Sequence, residues 1–171
     1  MSDPHQMSID APDRDSPDSD SRDRSAPSTP RHGPLDRRWQ AVEERREHLR
    51  PAPNPAFGHD YLVEHSGRSA IRLSADGTPV EVIWRLRYVP DRHILPRAAL
   101  DAYLARLIAR PWSGPEEVAA AIVADIGSEV MPRFQQVVLV LDASAGGIRV
   151  TFEEKRPTWS NGALMARLAL L

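Results

Sequence analysis

Between residues 80 and 88 the chain alternates with a period of two. Val80, Val82, Trp84, Leu86 and Tyr88 fall on one side, and Glu81, Ile83, Arg85 and Arg87 on the other. Successive side chains of a strand point to opposite faces, so this segment predicts a β-strand with one buried and one wetter face. Upstream, residues 60–63 and 69–73 read as two short strands. The turn residues Ala75-Asp-Gly-Thr-Pro79 follow, and their Asp76-Gly77 pair would join antiparallel neighbours. Downstream, Pro90 and Pro96 interrupt the alternation. Leu100, Tyr103, Leu104, Leu107 and Ile108 then recur at three- and four-residue spacing, the period of an amphipathic helix. Ser113-Gly-Pro-Glu116 sets a capping hydroxyl three residues before a carboxylate and predicts the start of a second helix through residues 118–126. Residues 136–141 and 148–153 are β-rich runs about the turn-like stretch Asp142-Ala-Ser-Ala-Gly-Gly147. Strands, two helices, then strands predict an α+β fold, an antiparallel sheet with two consecutive helices on one face. The other face is left to water or a partner.

The flanks pattern differently. Residues 1–34 are Asp, Ser, Pro and Arg with almost nothing to bury, which cannot offset the entropy of ordering, so a disordered acidic tail is expected. Residues 35–50 are rich in helix formers, with Trp39, Val42 and Leu49 toward one side of a charged surface, and predict a docked or transient helix. The folded domain is expected over 51–160. Residues 161–171 form a short apolar segment, too short for a membrane anchor and suited to packing or an interface.

A formal net charge of −2 and a pI near 6.3 give no basic field for neutralising phosphates, which disfavours nucleic acid as the main partner. No apolar run approaches the roughly 20 residues of a membrane span and the N-terminus is polar, so a cytoplasmic protein without a membrane role is expected. The absence of cysteine excludes disulfides, thiolate metal sites and thiol nucleophiles. The histidines His5, His32, His48, His59, His65 and His93 show no metal-ligand spacing and read as scattered surface residues, so no metal is expected. Gly146-Gly147 reads as a turn, and no nucleophile signature is present.

From about Asn54 to Pro157 the chain carries, in order, Gly58-His-Asp-Tyr-Leu-Val63, Leu86-Arg-Tyr-Val-Pro-Asp91, Leu100 with Tyr103-Leu104, Glu116 with Ile122 and Asp125-Ile126, Pro132-Arg-Phe134 and Gly146-Gly-Ile148. In these blocks and nearly in their spacing it resembles the 7-cyano-7-deazaguanine reductase family, QueF, of the tunnelling fold. The resemblance implies an NADPH-dependent nitrile oxidoreductase of queuosine biosynthesis, with sites formed between subunits of a ring-like homo-oligomer. The family's chemistry begins with a cysteine thiolate adding to the nitrile carbon, a step that needs a soft, readily deprotonated nucleophile. By register that position is Leu73, with Ser74 beside it. The family's catalytic aspartate falls at Val80, with Glu81 adjacent as a substitute. A Glu-Ser-Lys-Ser block linked to cofactor handling is replaced by Pro96-Arg97-Ala98-Ala99, which leaves Arg97 as the one cofactor-binding candidate.

One anchor survives. The His-Glu pair that grips the deazaguanine ring in the family corresponds to Pro115-Glu116, so the resemblance makes Glu116 a substrate-binding residue. A carboxylate accepts two hydrogen bonds from the amino and ring N–H groups of a guanine-like edge, a selective charge-assisted pairing. The same glutamate also fits a helix start, where a carboxylate satisfies free backbone N–H groups. The expectation is a QueF-like protein that binds a purine- or deazapurine-like heterocycle at a subunit interface without the family's nitrile reduction. Two alternatives remain open: an active reductase or related enzyme recruiting Ser74, Glu81, His93 or Arg97, and a structural ring-forming subunit.

Overall fold

The alternation at residues 80–88 forms the second strand of a four-stranded antiparallel sheet, as the computed structural model shows. It describes residues 41–75, 77–141 and 147–168, all within one compact unit, Gly33–Leu171. The 1–34 tail, residues 35–40 of the expected helix, Asp76 and residues 142–146 of the two turns, and residues 169–171 lie outside them. In chain order the elements are a helix α1 over residues 41–46, β1 (Ala52–Pro53), β2 (Val63–Ile71), β3 (Val80–Val89), β4 (His93–Ile94), α2 (Arg97–Ile108), α3 (Pro115–Glu129), β5 (Phe134–Leu141), β6 (Ile148–Lys155) and α4 (Gly162–Leu168). The large sheet has the order β2-β3-β5-β6, every pair antiparallel, and β1 pairs with β4 in a small second sheet. Two consecutive helices thus enter between the two central strands, the α+β layer expected from the pattern.

The inward row Val82, Trp84, Leu86 and Tyr88 of β3, Val137, Leu139 and Leu141 of β5 and Val150 of β6 packs against Leu100, Tyr103, Leu104 and Leu107 of α2 and Val118, Ala119, Ile122 and Ile126 of α3. The α2 positions are four of those that the three- and four-residue spacing placed on one helix face.

Three local expectations are corrected. The two short strands at 60–63 and 69–73 are one continuous strand, β2, paired from Val63↔Tyr88 to Ile71↔Val80. Its inward positions include His65, Gly67 and Ser69, so its sequence alternation has little hydrophobic contrast. The indole of Trp84 supplies the missing apolar surface: a Cβ at Gly67 would lie 2.6 Å from it, and its Nε1 donates to Ser69 Oγ at 3.1 Å. The start of α3 also differs, because Gly114 and not Ser113 occupies the cap position and no side chain caps it. Glu117 accepts the Ser113 N–H at 2.9 Å, the bond that the sequence assigned one residue earlier. The histidines are not all at the surface either. His65 and His93 are half-buried, and His65 Nε2 and His93 Nδ1 are enclosed without a hydrogen-bond partner.

Among the described residues, the other sheet face is covered at one end only. Val89 and Phe134 point there and form a second cluster with Leu164 and Leu168 of α4, against which Leu62, Trp159 and Met165 pack. This is where the apolar C-terminal segment goes, as far as Leu168.

Candidate functional site

The loop after β2 and the start of α3 are tied together. Trp112 N–H donates to the Arg72 carbonyl at 2.9 Å, Arg72 and Pro111 form a parallel bridge, and the buried indole of Trp112 donates to the Leu107 carbonyl at 2.9 Å. The Arg110 and Arg45 guanidiniums lie 4.1 and 5.8 Å from the Trp112 ring. Around this junction is a shallow pocket of about 390 Å³, lined by Leu73, Ser74, Ala75, Pro111, Ser113 and Glu117 together with Arg110 and Trp112.

The residues singled out by resemblance separate into two groups. Leu73 is half-buried against the core, and Ser74 is exposed with its carbonyl accepting the Gly77 N–H at 3.2 Å. Both line the pocket; Glu116 does not, and it is the next residue, Glu117, that reaches the lining. Glu116 stands exposed in the first turn of α3 and makes no hydrogen bond or ion pair to any other described residue. Its neighbour Glu117 takes the helix-start role, which leaves the Glu116 carboxylate unspent.

The second group is held elsewhere. Val80 is half-buried in the sheet opposite Ile71, and Glu81 is turned outward, 3.3 Å from Arg68 with both side chains mostly in solvent. Neither lines the pocket. Arg97 donates to Asp101 at 2.8 Å and to the Ser66 carbonyl at 3.2 Å, and its guanidinium lies 5.4 Å from the Trp84 ring. It is therefore the clamp that holds α2 onto β2 and β3. The resemblance implies NADPH, but in the 96–99 block Arg97 is the single cation and it is already engaged, so these residues do not fit a dinucleotide phosphate. Among the described residues no group of three or more histidine or acidic side chains is arranged to hold a metal ion. No described helix is long and apolar enough to cross a membrane.

Two polar networks escaped the sequence reading as sites. Asp125 of α3 is fully buried. It accepts from Arg45 Nε, from Arg45 Nη2 at 3.1 Å, from Arg46 Nε at 2.6 Å and from Tyr103 Oη at 2.9 Å. Burial and the neighbouring carboxylate push the Tyr103 phenol well above its usual range. The network docks α1 on the helical layer with every Asp125 oxygen occupied, so its work is structural. The spacing of Trp39, Val42 and Leu49 pointed to docking, but no periodicity marks an arginine as the docking group.

The second network closes one end of the sheet. Arg133 contacts Asp60 at 2.6 Å and Asp91 at 3.0 Å, Arg156 contacts Asp91 at 2.6 Å, and Trp159 and Asn161 donate to Asp60 at 3.1 and 3.0 Å. Hydrogen bonds from Asn161, Arg133 and Trp159 hold the Asp60 carboxyl below the usual range against its desolvation, and Arg156 and Arg133 do the same for Asp91. Asp60, Asp91 and Arg133 belong to the blocks that carry the family resemblance, and here they join the strand ends to the lead of α4.

No family model matches the chain, and no curated protein matches it. Among solved structures, the crystal structure of the archaeosine synthase QueF-Like in the apo form is similar at 16% identity with a TM-score of 0.47, covering 56% of this chain and 94% of that one. That likeness is one of outline and says nothing about ligand or chemistry here.

Proposed function

We propose that the chain binds a purine- or deazapurine-like heterocycle at the pocket between the β2–β3 loop and the start of α3. A second copy of the chain completes the site, and no thiolate-based nitrile reduction takes place there. The observation that carries this reading is the exposed and unengaged Glu116 carboxylate in the first turn of α3, one residue before Glu117, which lines the pocket with Leu73 and Ser74. An acceptor pair there selects a ring edge with adjacent amino and ring N–H donors, as in guanine and unlike adenine. Leu73 offers no nucleophile, and no base among the described residues hydrogen-bonds the Ser74 hydroxyl, so the pocket recognises without attacking. Ligand panels test this directly. Guanine and 7-cyano-7-deazaguanine are expected to bind and adenine not to, with no NADPH oxidation in the presence of the nitrile. Equal binding of adenine would remove the role assigned to Glu116, and nitrile-dependent NADPH oxidation would establish the enzyme reading.

The alternative of a structural ring subunit is favoured by the two strand edges, on β2 and β6, that no described strand pairs and that offer backbone groups to a neighbouring copy. It predicts an oligomer that binds none of the three heterocycles.

A further inference from the structure

The sheet face turned away from α2 and α3 carries chemistry that the pocket at the β2–β3 loop does not use. By register, its rows across β3, β5 and β6 are Ile83–Val140–Arg149, Arg85–Val138–Thr151 and Arg87–Gln136–Glu153. All of these but Glu153, with Leu168 of α4 at one end, line a groove of about 410 Å³, within the range of small-molecule sites. Its floor is apolar: Ile83 is 45% exposed, and Val138 and Val140 lie on either side of Leu139 with their side chains half-buried.

The charge above that floor is unbalanced. Glu64 alone serves two guanidiniums, lying 2.7 Å from Arg87 and 3.7 Å from Arg85. Glu153, the other nearby carboxylate, accepts from Gln136 at 2.5 Å. Arg149 is exposed and makes no hydrogen bond or ion pair to any other described residue. Arg87 is buried and also reaches the Leu168 carbonyl at 3.5 Å, so it belongs to the wall, while Arg85, held by the longer contact to the shared Glu64, and the exposed Arg149 extend over the floor. They sit on strands two apart and on adjacent rows, close enough for both long side chains to meet one ligand.

We propose that this groove binds a small organic anion, a carboxylate, sulfonate or phosphate ester on an aromatic or aliphatic body. The body lies on Ile83, Val138 and Val140, and Arg85 and Arg149 receive the anion. Guanidiniums over an apolar floor act in a lower dielectric than water and offer paired N–H donors to such a group. A second copy laid face to face would bring arginine rows against each other, a like-charge contact that disfavours it.

The probe is 8-anilinonaphthalene-1-sulfonate followed by fluorescence, with uncharged N-phenyl-1-naphthylamine as its partner. Arg149→Gln, alone and with Arg85→Gln, should weaken the sulfonate about tenfold or more, the size of one lost charged hydrogen bond, and leave the neutral probe unchanged. Val138→Asp should weaken both, and Arg106→Gln, on the helical side, neither. The proposal is overturned if the sulfonate fails to bind, if the arginine substitutions affect both probes alike or neither, or if Val138→Asp dissociates an oligomer that had excluded the probes.

Discussion

Asp125 shows what a single residue contributes that no pattern reveals. It stands at an inward position of α3 among Ile122 and Ile126, where hydrophobic spacing would expect an apolar side chain, and it is fully buried. Its two oxygens are shared by two arginines and a tyrosine. Asp125→Asn would leave the buried Arg45 without a charged partner, a loss of about 3–5 kcal/mol that equilibrium urea denaturation would register. Gly67 is the reverse case, a residue whose missing side chain matters. Gly67→Ala would set a methyl 2.6 Å from the Trp84 indole, which the Ser69 hydrogen bond and Arg97 hold in place, and should cost about 1–3 kcal/mol. Retention of full stability would mean that the indole is freer than these contacts imply. Neither residue announces itself in the sequence, because burial of a polar group and the space above a glycine are set by parts of the chain far away.

At the level of elements, β3 and α2 were legible from their periodicity, α3 from its helix-start residues and the β5–β6 pair from two β-rich runs about a turn. The continuous β2 was not, since His65, Gly67 and Ser69 dilute its inward row. The short β1–β4 pair had no sequence signal at all. The end of the sheet is fastened by charge where packing is thin, and that has a pH consequence. Asp60 and Asp91 titrate below the ordinary value of 3.8, so their contribution to stability is present above that value and is lost as pH falls through their folded values. Stability should therefore drop as pH falls below about 4, and Arg133→Gln, which removes a shared cause of both depressions, should flatten that drop. His65 adds a second phase of the same sign. Burial, chiefly, lowers its pKa below 6.5, so protonation favours the unfolded chain and stability declines as pH falls through that value. His65→Gln should remove that phase in urea midpoints measured from about pH 8 to pH 5.

The whole molecule poses the question of what covers it. Among the described residues both edges of the sheet are unpaired, Phe57, Ile83, Met131 and Ile148 are exposed, and the pocket at the β2–β3 loop is shallow. An assembly in which a neighbouring copy closes that pocket satisfies these features together. Light scattering should find an oligomer whose mass is independent of the heterocycle, and a monomer would remove the completed site on which the proposed function depends. Of the blocks of family resemblance, Asp60, Asp91 and Arg133 meet in the polar network at the sheet end, while Leu100, Tyr103, Leu104, Ile122 and Ile126 lie in the core. The sequence located Glu116 but could not show that Glu117 takes the helix-start bond and leaves Glu116 unengaged, because which of two adjacent glutamates bends back depends on the cap geometry at Gly114. Isothermal titration calorimetry with 7-cyano-7-deazaguanine, on the wild-type chain and on Glu116→Ala, tests that distinction most directly. Micromolar binding that the substitution abolishes, with unfolding unchanged, is the predicted result; no binding to either protein, or equal binding to both, would contradict it.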